Sequence, residues 1–171
     1  CVLCTGIHDP ESEKKLSSEK IRKIMETNFF GTVNSIMAVN KYFRERKNGH
    51  ISIVSSVAGY RGLPAAAGYC ASKAALTSLA ESLFFDFKRY NVRISLVSPG
   101  FIKTPLTDKN KFSMPMIKSP EYAAEKMFIG LTKKNVFEIH FPKTFTILVK
   151  LLKIMPNWLF LWLIERGVKR F

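Results

Sequence analysis

The chain is poor in cysteine, histidine and acidic residues, and each shortage narrows what it can be. Its three cysteines, Cys1, Cys4 and Cys70, are an odd number at spacings that match neither a zinc knuckle nor a paired disulfide framework. That argues against a disulfide-stapled secreted scaffold and for a reducing compartment, with the cytoplasm the expected location. His8, His50 and His140 lie far apart and show no HxxxH or HExxH spacing, so no metal site is read from them. No charged leader followed by a short apolar run and a small-residue cleavage site is visible, so no secretory signal is read. The first residue is Cys1 and the first methionine is Met25, so the chain is expected to be truncated or processed. Also missing is an uninterrupted apolar run of about 20 residues, the length a membrane-spanning helix requires.

Thirteen acidic residues stand against 27 basic ones, a formal net charge of +14. A solvated basic surface accounts for this, and so does an anionic partner. The lysines and arginines are scattered and no nucleic-acid motif organises them, so no nucleic-acid partner is expected. A membrane surface is the better specific alternative, because the charge coexists with an apolar C-terminus. At 171 residues and 47% hydrophobic, the chain can bury one core but not two independent ones.

Hydrophobic periodicity orders the rest. Val2, Leu3 and Cys4 before Thr5-Gly6 read as the end of a buried strand entering a turn. From Ser17 or Ser18 to Arg46, apolar residues from Ile21 to Phe43 recur at helical spacing, with Ser18 a candidate N-cap and Asn48-Gly49 closing the helix. His50 to Ser55 reads as a strand, Gly59 to Gly68 as a loop, and Tyr69 to Tyr90 as a second long helix rich in small residues. Asn91 to Val97 reads as a strand ended by Ser98-Pro99-Gly100. A third helix is expected from about Ser119 to Lys133, capped by Ser119 with Pro120 at its first position, and a last strand from Val136 to Phe141.

Strands alternating with long helices predict an α/β fold with a doubly wound parallel sheet and right-handed crossovers. Residues 1–141 are assigned to this domain. Residues 142–171 form an apolar tail broken at Pro156, with Trp158, Trp162, Glu165, Arg166, Lys169 and Arg170. Two short helices lying in a membrane interface are one expectation for it. Packing on the domain, shaping a substrate pocket or covering a dimer partner is the other.

Ser56 falls at the carboxyl end of a strand, where open α/β sheets bind ligands, thirteen residues before Tyr69. Lys73 follows Tyr69 by four, so the two share a helix face. A cation there would favour tyrosinate and draw the phenol from its reference pKa of about 10 toward neutrality, making Tyr69 a general acid/base. Singly, such residues are ordinarily packing, solvated charge and turn.

The run from Ser55-Ser56-Val57-Ala58-Gly59 to Tyr69-Cys70-Ala71-Ser72-Lys73-Ala74-Ala75 resembles the SSxxG…YxASKxA signature of classical short-chain dehydrogenases. The resemblance covers Cys1 to about Phe141. It implies a Rossmann-like oxidoreductase that uses NAD or NADP to interconvert an alcohol and a ketone or aldehyde. Tyr69 would be its acid/base; Lys73 would lower the tyrosine's pKa and bind the nicotinamide ribose; Ser56 would hold the substrate carbonyl. Asn28 looks like the asparagine that positions a relay water, although as a helix-interior polar residue it could also bond only its neighbours. Pro99-Gly100-Phe101-Ile102-Lys103-Thr104 is similar to the family's PGxxxT stretch, which places Pro99, Gly100, Ile102 and Thr104 at the nicotinamide carboxamide. Leu3-Cys4-Thr5-Gly6 stands where the family has NNAG and keeps only Gly6, which suits a backbone approaching the cofactor. The resemblance further implies a homodimer or tetramer through the two long helices.

No GxGxxG or TGxxxGxG occurs among the nine glycines. The turn that faces a cofactor's pyrophosphate, and with it the N-terminal mononucleotide-binding half of the sheet, is therefore expected to be missing. Residues 1–171 alone are expected to bind the cofactor poorly, and a non-catalytic interaction protein that keeps the fold is the alternative. With membrane contact, a lipophilic substrate such as a sterol, retinoid or long-chain carbonyl is favoured.

Overall fold

The computed structural model describes residues 1–10, 16–110, 112–133 and 136–168. Four strands, β1 (Val2–Leu3), β2 (Gly49–Val54), β3 (Val92–Pro99) and β4 (Glu138–Phe141), form one sheet in the order β1-β2-β3-β4 with every neighbouring pair parallel. Among the described residues six α-helices accompany them: α1 (Ser18–Met25), α2 (Gly31–Arg46), α3 (Ala67–Lys88), α4 (Pro120–Thr132), α5 (Lys143–Ile154) and α6 (Asn157–Val168). This parallel sheet with helices on both faces is the Rossmann-like α/β class expected from the sequence.

Alternation along the strands decides which helix covers which face. Ile51 and Ile53 of β2 and Val92, Ile94 and Leu96 of β3 turn to one side and pack on Ile36 of α2 and Leu76, Ala80 and Phe87 of α3. Ile51, Ile53, Leu76 and Leu96 are almost wholly buried, each contributing about 1.5–3 kcal/mol relative to exposure. Val54, Val97, Ile139 and Phe141 turn the other way and are covered by Tyr122, Ala123, Met127 and Leu131 of α4. The strands step in one direction while the covering helix changes face. The β3–α4–β4 crossover therefore has the opposite hand to the two before it, a departure from the expectation of uniformly right-handed connections. The second face is apolar only at the carboxyl ends of β2 and β3, at Val54 and Val97, and in β4, and α4 covers that part.

Several boundaries differ from the sequence reading. Ser17, not Ser18, caps the first helix, its Oγ accepting from the Lys20 amide at 3.3 Å. That helix closes at Lys47, which adopts the left-handed conformation, rather than at Asn48-Gly49. Gly49 instead opens β2, where a Cβ would lie 2.7 Å from the Phe43 ring. The largest difference is internal. Between α1 and α2 the helix widens into a π-turn, Glu26–Phe30, a form that recurs at functional sites. At α4, Ser119 caps and Pro120 leads, as read.

The tail forms two helices broken at Met155-Pro156. One side is fastened to the domain. Lys150 Nζ meets the Glu138 carboxylate at 2.5 Å, Tyr60 donates to the same carboxylate, and Thr146 Oγ1 lies 2.6 Å from His140 Nδ1. Arg61 donates to Asn157 at 3.0 Å and to the Met155 carbonyl at 3.2 Å while covering the buried ring of Phe160. The other side leaves Ile147, Leu148, Leu151, Ile154, Trp158 and Leu161 exposed. Among the described residues no helix is long and apolar enough to cross a membrane; Lys169 and Arg170 lie outside them.

Candidate active site

Tyr69 and Lys73 sit in the first two turns of α3, on the face that meets the carboxyl ends of β1 and β2. Lys73 is 4% exposed, and its Nζ donates to the Val54 carbonyl at 2.9 Å, at the last residue of β2. Burial lowers its pKa to about 8. The same Nζ stands 5.7 Å from the centre of the Tyr69 ring. Ser56 follows β2 and caps a short 3₁₀ turn, Val57–Gly59, accepting from the Ala58 amide at 3.2 Å. Its hydroxyl also acts on the Tyr69 phenol.

The tyrosine's titration runs against the expectation. Desolvation raises the Tyr69 pKa to about 12; Ser56 acts to lower it, and Cys70 and Cys4 to raise it. Burial of the phenol outweighs the cation that was to favour tyrosinate, whose Nζ is directed at the Val54 carbonyl. At neutral pH Tyr69 is therefore the neutral phenol.

The scaffold behind these groups is heavily hydrogen-bonded. Asn28, in the π-turn, is fully buried. Its Nδ2 donates to the Ile7 carbonyl at 3.0 Å and to Ser72 Oγ at 2.9 Å, and its Oδ1 accepts from the Ile7 amide at 2.7 Å. Its carbonyl accepts from Thr32 Oγ1 at 2.8 Å. The asparagine thus locks the loop after β1 to α3. Ser72 continues the chain of bonds by donating to the Tyr69 carbonyl at 2.8 Å. On the far side of Lys73, its carbonyl accepts from Ser55 at 2.8 Å and Thr77 at 3.0 Å. A Cβ at Gly59 would lie 2.8 Å from that same carbonyl, so only glycine lets the 3₁₀ turn approach α3 this closely.

Ser55, Gly59, Ser72 and Thr77 were not singled out in the sequence, although the first three lie inside the recognised run. His8, from which the sequence gives no site, is buried and packs on Tyr69. Gly6 faces the gap between Lys73 and Asn28, where a Cβ would lie 3.4 Å from Nζ and 3.5 Å from Asn28 Oδ1. Ser56, Tyr69, Lys73, Asn28 and Gly6 therefore form one cluster. Pro99 and Gly100 end β3 beside β4, the Gly100 amide donating to the Phe141 carbonyl at 2.8 Å. Ile102 bridges to Lys118. The Thr104 hydroxyl is held only by long contacts, 3.4 Å to the Ile102 carbonyl and 3.5 Å to Thr107.

Residues 1–115, more than half the chain, match the short chain dehydrogenase family. The chain belongs to this family. An uncharacterized oxidoreductase of Myxococcus xanthus (strain DK1622) is 38% identical over 159 residues, 93% of this chain and 62% of that protein. A 3-ketodihydrosphingosine reductase of Bacteroides thetaiotaomicron is 35% identical over 107 residues, 63% of this chain and 40% of its own length. The chain thus spans less than two thirds of either relative. A crystal structure of a short chain dehydrogenase from Mycobacterium paratuberculosis bound to NAD superimposes with a TM-score of 0.70 at 25% identity, covering 81% of this chain and 60% of that one.

Proposed function

We propose that this short chain dehydrogenase serves an NAD- or NADP-dependent oxidoreductase that interconverts an alcohol and a ketone or aldehyde. The observation that carries the reading is the convergence of Ser56, the Tyr69 phenol and the Lys73 ammonium at the carboxyl ends of β1 and β2, where α/β sheets bind ligands. Lys73, Gly6, Pro99, Gly100, Ile102 and Thr104 would hold the nicotinamide end of the cofactor. The weakly engaged Thr104 hydroxyl fits that use. When bound, the cofactor supplies or accepts the hydride.

The chain's own residues handle the proton and the orientation. Ser56 Oγ donates to the substrate carbonyl oxygen and holds it beside Tyr69. Tyr69, neutral with its pKa near 12, gives its proton to that oxygen as the alkoxide forms in the reductive direction. Lys73, still mostly protonated at neutral pH with a pKa of about 8, stabilises the tyrosinate left behind. Asn28 fixes the loop that carries Gly6 and so preserves the geometry of the cluster. Replacing Tyr69 by Phe in the longest natural form of the protein should lower turnover at least about 100-fold. Full turnover without the phenol refutes the assignment, and no turnover in the unmutated protein favours a non-catalytic interaction protein.

The substrate is proposed to be lipophilic and the protein peripheral on a membrane, through the exposed side of α5 and α6. Support comes from the exposed apolar side chains there, from Arg166 in the last turn of α6, and from the second relative's named ketone substrate. Such an interfacial pair binds anionic bilayers by apolar insertion plus charge. Both tryptophans lie on α6, so a blue shift of their fluorescence on anionic vesicles, retained in high salt, is the test. Met37 and Tyr42 of α2 and Phe85 of α3, all exposed, support self-association through these helices as a homodimer or tetramer, to be read by sedimentation.

A further inference from the structure

His8 lies on the loop that leaves β1, only 8% exposed, with its ring 4.7 Å from the Tyr69 ring at 48°. Among the described residues its Nδ1 is buried without a hydrogen-bond partner, and so is Oδ1 of Asn110. The Asn110 side chain is near enough to act on the imidazole, while Asn110 Nδ2 donates to Met114 Sδ at 3.4 Å. One residue earlier, Lys109 donates from Nζ to the His8 carbonyl at 3.1 Å. Lys109 ends the short 3₁₀ turn Thr107–Lys109, on the loop that follows Thr104. Two loops and the tyrosine thus meet on one imidazole.

We propose that His8 is a positioning residue: it fixes the Tyr69 ring through one face and latches the 107–110 turn to that ring through its polar edge. This rests on the reading of Tyr69 as the acid/base. An apolar ring would cover Tyr69 as well. What histidine adds is a polar edge facing Asn110, so that the turn and the proton-donating ring keep a common alignment. Proton-transfer geometry tolerates displacements well under 1 Å, and a ring free to rock would not hold it.

The ionisable groups facing His8 are Asp9 on its own loop, itself paired with Lys20 at 2.9 Å, Lys109 on the turn, and Tyr69 on α3. Burial, with Lys109 beside it, holds the imidazole below its usual pKa, although Asn110 and Asp9 act to raise it. Protonation places a charge against Lys109 and the Tyr69 ring and so perturbs both contacts.

The test uses the 171-residue chain with ¹³C-labelled tyrosine and histidine. Five tyrosines and three histidines allow assignment by single substitution. In the wild type the Tyr69 Cζ resonance should move with pH at the midpoint of the His8 resonance, and His8→Phe should abolish that movement in a folded protein. His8→Phe keeps the ring contact and loses the polar edge, so hydrogen exchange at the Asp108 and Asn110 amides should quicken about tenfold. His8→Gln keeps a polar edge, so exchange should stay within about threefold of wild type while the Tyr69 signal shifts or broadens. A Tyr69 resonance that stays flat through the His8 titration overturns the proposal, as does equal exchange in all three proteins. Neither readout depends on turnover, so failure of the catalytic reading, seen with Tyr69→Phe, is separately visible.

Discussion

Replacing Lys73 by Met should stabilise the fold at neutral pH while removing the proposed chemistry. Lys73 is almost wholly buried and its pKa drops from 10.5 to about 8 through desolvation. At 1.36 kcal/mol per tenfold change in protonation, the charged form is penalised in the folded state by about 3 kcal/mol. Methionine fills the same channel without charge but gives up the hydrogen bond to the Val54 carbonyl, a loss of about 1 kcal/mol. The net gain is about 2 kcal/mol. The sign with pH follows from the folded pKa lying below the unfolded one. The penalty is complete below pH 8, fades as pH rises from 8 to 10.5, and is absent above, because the unfolded chain binds the extra proton over that window. Urea denaturation of both proteins at pH 7 and pH 10 reads this directly. Lys73→Met should be the more stable at pH 7, with the advantage gone or reversed at pH 10. A variant less stable than wild type at pH 7, or a difference that does not change with pH, refutes the account of Lys73 as a strained buried cation.

Asn28→Ala leaves the Ile7 amide and carbonyl without their side-chain partner and should cost about 2–4 kcal/mol in urea midpoint terms; a change under about 1 kcal/mol contradicts its role as the brace of the β1 loop. Gly59→Ala drives a methyl into the Lys73 carbonyl and should cost about 1–3 kcal/mol, with turnover falling in the longest natural form. Since this sequence holds no glycine-rich turn for a pyrophosphate, calorimetry of the 171-residue chain with NAD and NADP should give only weak binding; tight binding of either contradicts that expectation.

The architecture was legible because its signals are long. Period-3.6 patterns over α1–α2 and α3 and short apolar runs at β2 and β3 leave few alternatives, and Ser119-Pro120 announces α4 outright. The π-turn was not legible, since one extra residue per turn leaves the apolar spacing nearly intact and its cause is the three bonds that pull Asn28 toward Ile7 and Ser72. The opposite hand of the last crossover was hidden because Val97 and Ile139 look alike whichever face they take. Within the site, Ser56, Tyr69 and Lys73 could be located from spacing, but the direction of the tyrosine's pKa could not. That depends on how deeply the phenol is buried, which only the packing around it decides. His8 gave no signal at all, because a lone histidine after a strand carries no pattern; only its packing reveals it. The tail was read with two outcomes open, and it shows a fastened side and an exposed side at once.

The most direct test of the central claim is transfer of deuterium from 4-deuterated nicotinamide cofactor, NAD- or NADP-type, to a panel of long-chain ketones and aldehydes by the longest natural form, read by mass spectrometry of the product alcohol. The account predicts one deuterium on the carbinol carbon with at least one cofactor, and its loss in Tyr69→Phe. No transfer to any carbonyl in a folded protein that binds the cofactor, or transfer undiminished in Tyr69→Phe, would contradict it.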